Sequence, residues 1–74
     1  MSKTRFFIKA ETTQGTEEYL GRYTLNGPLE VMATFEMASA FVTRGEAQAA
    51  LDLEERRGTR LPGITTAWVT ERTI

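Results

Sequence analysis

Few side chains in this sequence could do chemistry. Carboxylates are the most numerous: Glu17-Glu18 and Glu54-Glu55 stand as adjacent pairs, and Glu46 and Asp52 precede the second pair. Two carboxylates can divide acid and base work when a cleft pushes their proton affinities apart. Sequence neighbours tend to face apart, however. No histidine or cysteine is present to serve as imidazole base, thiol nucleophile or ordinary zinc ligand. The only serines are Ser2 and Ser39, and the only lysines are Lys3 and Lys9. The six glycines are scattered and build no phosphate loop, and a sole aspartate leaves no calcium loop. The inventory argues against an enzyme. It implies no catalytic residue, no cofactor and no metal.

Binding is the chemistry that remains, and four sets of residues could carry it. Arg5, Phe7 and Lys9 alternate, so a strand would place them on one face as an aromatic platform between two cations. Bases could stack there with phosphates on the flanks. The plainer reading is a solvent-face aromatic steadied by its cross-strand neighbours, and Glu11, Glu30 and Glu36 on the same face would oppose a nucleic-acid backbone. Arg56, Arg57 and Arg60 follow one another closely and could meet an anionic partner, or simply complement a helix dipole. Glu46, Asp52 and Glu55 would give an acidic helix surface suited to a basic protein groove, or a plain solvated face. Glu54 falls on the apolar side and should reach out to solvent or to an arginine. Met32, with Met37, offers a flexible apolar contact for a partner.

Composition sets the frame. Hydrophobic residues are 41% and charged residues 26%, ordinary for a folded domain. At 74 residues one small domain is expected, and without cysteine no disulfide can supplement its core. No apolar run approaches the ~18 residues of a membrane span. Lys3 and Arg5 are not followed by the apolar segment of a signal peptide, so a soluble cytoplasmic protein is expected.

Period-two alternation of Phe6, Ile8 and Ala10 predicts a strand from Arg5 to Thr12, with those three inward. Thr12 to Thr16 has the length and the glycine of a hairpin loop. Glu17 to Leu25 predicts a second strand, apolar on both faces, with Gly21 marking a bulge or a close packing contact. Asn26-Gly27-Pro28 is a turn signal. Leu29, Val31, Ala33, Phe35 and Met37 then alternate, which favours a third strand over roughly Leu29–Phe35. Pro28 with Leu29, Met32 and Ala33 would alternatively suit a helix. Thr43 as N-cap and Glu46 as its capping-box partner start a helix from about Arg44 to Arg57, with Ala47, Ala50 and Leu51 on one side. Gly58 suits the left-handed position after it. Ile64 to Glu71 predicts a last strand, with Ile64, Thr66 and Trp68 on one face and Ala67 and Val69 on the other. The expected fold is α+β: a mainly antiparallel four-stranded sheet in β-β-β-α-β order with one amphipathic helix on one face. Were strands three and four parallel, their connection would be right-handed.

The segment Phe41-Val42-Thr43-Arg44-Gly45-Glu46-Ala47-Gln48-Ala49-Ala50-Leu51 is similar to strand-to-helix junctions of many small domains, the glycan-binding SPOR domains included. The doubled β-α-β pattern of that family is missing, and no functional residue is carried over. The RNA-recognition motif is likewise a poor match, for want of a first helix and of its aromatic third-strand motif.

These readings point to a non-enzymatic protein-interaction module whose partner is another protein. Small chains of this kind occur among phage and mobile-element accessory proteins, some of which inhibit host nucleic-acid machinery, as anti-CRISPR proteins do. A nucleic-acid-binding module using Arg5, Phe7 and Lys9 is the alternative, and a structural homodimer subunit is another. A net charge of -1 leaves few surplus cations for counterion release. A gel shift with random duplex DNA at ~150 mM salt should therefore show no micromolar complex; a retarded band there would refute this reading.

Overall fold

Alternating apolar residues produce a first strand, β1 (Thr4–Thr12), in a computed structural model that describes residues 3–24, 27–56 and 63–74. The chain turns back where the sequence predicts. Gly15 takes a φ of 84°, which a residue with a Cβ adopts at a cost, and the Thr12 amide donates to the Thr16 carbonyl at 2.8 Å. The second strand, β2 (Glu17–Gly21), runs antiparallel, with Lys9 opposite Tyr19 and Ala10 opposite Glu18. Arg22, Tyr23 and Thr24 are outside it, so it is shorter than expected. Leu25 and Asn26, from the expected strand end and turn, lie outside the described residues.

The expected long third strand is corrected. β3 (Glu30–Val31) is two residues long and pairs antiparallel with β2. Phe35–Met37 forms a 3₁₀ turn. The alternating residues are not one face: Val31 and Met37 are exposed, while Met32, from the opposite phase, is buried. The Met32 amide still donates to the Tyr19 carbonyl at 3.0 Å. The chain then leaves the sheet plane and crosses its face, using Met32 and Phe35 there. Alternation arose from apolar residues that serve two different surfaces.

The helix α1 (Arg44–Arg56) starts where the cap predicts, with the Thr43 hydroxyl accepting the Glu46 amide at 3.1 Å. Ala47, Ala50 and Leu51 are buried as expected. Glu54 is buried too, at 3% exposure, so it does not reach out to solvent. Arg57 and Gly58 lie outside the described residues.

The last strand, β4 (Ile64–Thr73), pairs antiparallel with β1 along its length, from Thr4 opposite Thr73 to Thr12 opposite Ile64. The register shifts between Glu11 and Thr12, and Thr65 is the extra residue, its hydroxyl donating to the Glu11 carbonyl at 3.0 Å. This bulge explains a second departure. Strict alternation would group Ile64 with Thr66 and Trp68, but the extra residue brings Ile64 to the side of Ala67 and Val69.

The sheet order is β3-β2-β1-β4. β3 and β4 are therefore its two edges, antiparallel to each other, and the handedness rule for parallel strands does not apply. Ile8, Ala10 and Leu20 from the sheet and Leu29 just before β3 form the core with Ala47, Ala50 and Leu51 of α1, and Phe6, Phe41, Ile64, Ala67 and Val69 close its rim. On the opposite face the segment after β3 crosses β2 at Gly21. A Cβ there would lie 2.6 Å from the Met37 carbonyl oxygen and 3.0 Å from both the Ser39 nitrogen and Met32 Cγ. Past the end of β2, Phe41 takes the vacant place beside β1, exchanging backbone bonds of 2.9 and 2.8 Å with Phe6.

Gly21→Ala should lower stability by about 1–3 kcal/mol, the usual cost of overpacking, because the obstructing atoms are backbone. A chemical-denaturation midpoint equal to that of the parent would show that the crossing shifts freely.

Candidate functional site

On the sheet face away from α1, β1 presents Phe7 between Arg5 and Lys9, the face the sequence assigns to them. Phe7 is not a platform, however: it is 2% exposed. The Phe35 ring lies at 4.9 Å and the Tyr19 ring meets it edge-on at 5.9 Å, with Tyr19 and Phe35 themselves 5.1 Å apart. Arg72 of β4 covers the cluster, its guanidinium carbon 3.9 Å from the Phe35 centroid and Nη1 donating to the Tyr19 hydroxyl at 3.4 Å. The stacking surface that a base would need is taken up by the protein's own rings. The expected outer-face aromatic at position 7 is corrected to a second, smaller core.

The cations of this face are engaged as well. Lys9 lies 5.2 Å from the Tyr19 centroid and pairs with Glu17 at 3.0 Å. The hydrogen bond to Glu17 raises the Lys9 pKa above its ordinary value. Arg5 donates to the Thr4 carbonyl at 2.9 Å.

The other expected contacts are dispersed. Met32, expected at a partner surface, is 2% exposed and packs beside Gly21; this too is a correction. Glu46 and Glu55 are exposed on α1, and Asp52 accepts a hydrogen bond from the Gln48 amide at 2.9 Å. At about 100° per residue, Glu46 and Glu55 fall on opposite flanks of the helix, so the acids do not form one patch. Arg56 is exposed in the last turn. Arg57 and Arg60 lie outside the described residues. Among the described residues no cluster of three or more potential ligands could hold a metal, and no helix is long and apolar enough to cross a membrane.

What the fold does present is an edge. Lys3 and Ile74 exchange two backbone hydrogen bonds of 2.8 Å. Antiparallel ladders alternate bonded and non-bonded pairs, so the register makes Arg5–Arg72, Phe7–Thr70, Lys9–Trp68 and Glu11–Thr66 the bonded pairs. Ala67, Val69, Glu71 and Thr73 consequently turn their N–H and C=O groups away from β1, toward the open side. β4 is ten residues long and holds no proline or lysine, the common guards of an edge. Its bulge at Thr65 lies near one end, leaving Thr66 to Thr73 regular. β3 and β4 are the two outer strands, and with β3 cut to two residues β4 is the long edge.

Phe35→Ala should expose Phe7 and cost about 2 kcal/mol, below the ~3–5 kcal/mol of a fully buried phenylalanine, since Phe35 is only half-buried. The denaturation midpoint measures it, and a loss under ~0.5 kcal/mol, the range of ordinary surface changes, would show that Phe35 is not a cover for Phe7.

Comparison of the chain with family models, curated proteins and solved structures finds no match.

Proposed function

We propose that this chain is a non-enzymatic protein-interaction module that accepts an extended segment of another protein along β4. The observation that carries this reading is the run of backbone groups at Ala67, Val69, Glu71 and Thr73, unpaired among the described residues, on a long edge without proline or lysine. Strand addition uses main-chain hydrogen bonds for affinity and the alternating side chains for selection. Here an added strand meets Ala67, Val69 and Glu71 on the helix side, and Trp68, Thr70 and Arg72 on the aromatic side. The engagement of Lys9, Arg72 and Phe7 within the fold weighs against the nucleic-acid alternative. Inhibition of host nucleic-acid machinery, anti-CRISPR activity included, is one use of such a module; small size and mixed surface charge are what support it. A second copy of the chain could supply the added strand, which is the homodimer alternative.

Glu71→Pro tests the proposal. The Glu71 side chain is exposed and its N–H faces the open edge, so proline removes a donor there while leaving the β1–β4 ladder in place. Light scattering should give either about twice the 8.3 kDa chain mass, with the variant monomeric, or a monomer whose Ala67, Val69 and Thr73 amides become protected from exchange only when its partner binds. Protection of those amides in the free monomer, or association unchanged by Glu71→Pro, would overturn the assignment.

A further inference from the structure

On the other side of β1 the chain divides. Arg22, Tyr23 and Thr24 continue past the end of β2, while Ser39, Ala40 and Phe41 arrive to take the place beside Phe6. A cleft of about 410 Å³ lies between the two segments and is lined by both. Among the described residues that line it, Arg22 is the one charged side chain and none is a carboxylate.

Three of the other described arginines have something to sit against, Arg72 the Phe35 ring, Arg44 the Phe6 ring at 5.1 Å and Arg5 the Thr4 carbonyl, while Arg56 stands exposed in water. Arg22 fits neither case. Its Nε is closed off from solvent and has no acceptor, and among its nitrogens only Nε is so closed. A guanidinium donor that has lost water without gaining an acceptor is a rare and unfavourable arrangement. The fork of a guanidinium matches two oxygens on one centre. Thr24 and Ser39, which carry hydroxyls, and Tyr23 and Phe41, which carry rings, line the same cleft.

We infer that this cleft binds a small organic anion, its oxyanion head on Arg22 with the Thr24 and Ser39 hydroxyls and its flat apolar body against Phe41 and Tyr23. Carboxylates and phosphate esters share the required chemistry. The body distinguishes them from bare ions, which reach the guanidinium without using the rings. Binding turns the Arg22 edge toward the ligand and gives Nε its acceptor. This inference is independent of the β4 edge.

The test follows side-chain Nε–H resonances of the arginines by NMR in the ¹⁵N-labelled chain, titrated separately with benzoate, phenyl phosphate, inorganic phosphate and chloride. The Arg22 resonance should shift and saturate with benzoate or phenyl phosphate, at concentrations at least tenfold below those needed for inorganic phosphate, while the other arginines drift little. Which of the two organic probes saturates first names the head group. Arg22→Lys keeps the charge but loses the fork, and should weaken binding about tenfold, read from the Phe41 and Ser39 amides. Equal, unsaturating drift of all arginines, or binding undiminished in Arg22→Lys, would overturn the inference. The titration of the parent chain decides the matter even should the variant fail to fold.

Discussion

One hydrogen atom at position 21 sets the architecture. A four-stranded sheet with a single helix has a face left over, and β1 carries Phe7 into that face as surely as it carries Ile8 into the other. The chain covers Phe7 by passing the segment after β3 over β2, and that passage is possible only where β2 has no side chain. Several features follow from this close approach. β2 stops at Gly21, β3 is cut to two residues, Phe35 reaches Phe7, and Phe41 inherits the neighbouring place along β1. The aromatic cluster then recruits Arg72 from β4 and Lys9 from β1, tying three strands together across the face.

This economy decides which surfaces are left for function. Side chains that look available in the sequence are consumed in making the second face dry. Among the described residues, the long open backbone edge lies on one side of β1 and an unsatisfied guanidinium nitrogen on the other. The backbone groups of β4 are indifferent to side-chain type, so under the proposed reading that edge selects extension rather than composition. The cleft at Arg22 is the reverse: the ligand proposed for it would be selected by charge and by polar and aromatic residues. The two lie on opposite sides of the same central strand, and nothing in the ladder requires one to be filled before the other.

Much of the fold was legible because local signals agreed with one another. The Thr43 cap, the Ala47-Ala50-Leu51 stripe, the Gly15 hairpin and the alternation of β1 each follow from short-range stereochemistry, and together they fix four strands around one helix. What was not legible depends on contacts distant in sequence. Nothing near Leu29–Met37 says that its alternating residues serve two surfaces, because that division is imposed by β2 passing beneath. Nothing near Phe7 says that a ring from position 35 will cover it. The bulge at Thr65 defeated face assignment in β4 for a similar reason, since an inserted residue is visible only against the partner strand. The candidate site suffered most. An edge is a property of sheet order, and an orphaned nitrogen is a property of packing, so neither leaves a mark in the spacing of residues.

The pairing of β1 with β4 has a consequence for how the molecule is made. The central strand is synthesised before its other strand partners, and the strand that flanks it along its whole length, from Thr4 opposite Thr73 to Thr12 opposite Ile64, comes last. Nearly every contact that orders the sheet's open side is thus remote in sequence, the condition that slows folding. On the ribosome, Phe6, Phe7 and Ile8 emerge before β4 and must wait, half-paired at best with the β2 hairpin, until β4 follows. The nascent chain passes through an interval in which its most apolar strand is an unshielded edge, and during that interval its fate depends on the rate of synthesis and on whatever holds emerging chains apart.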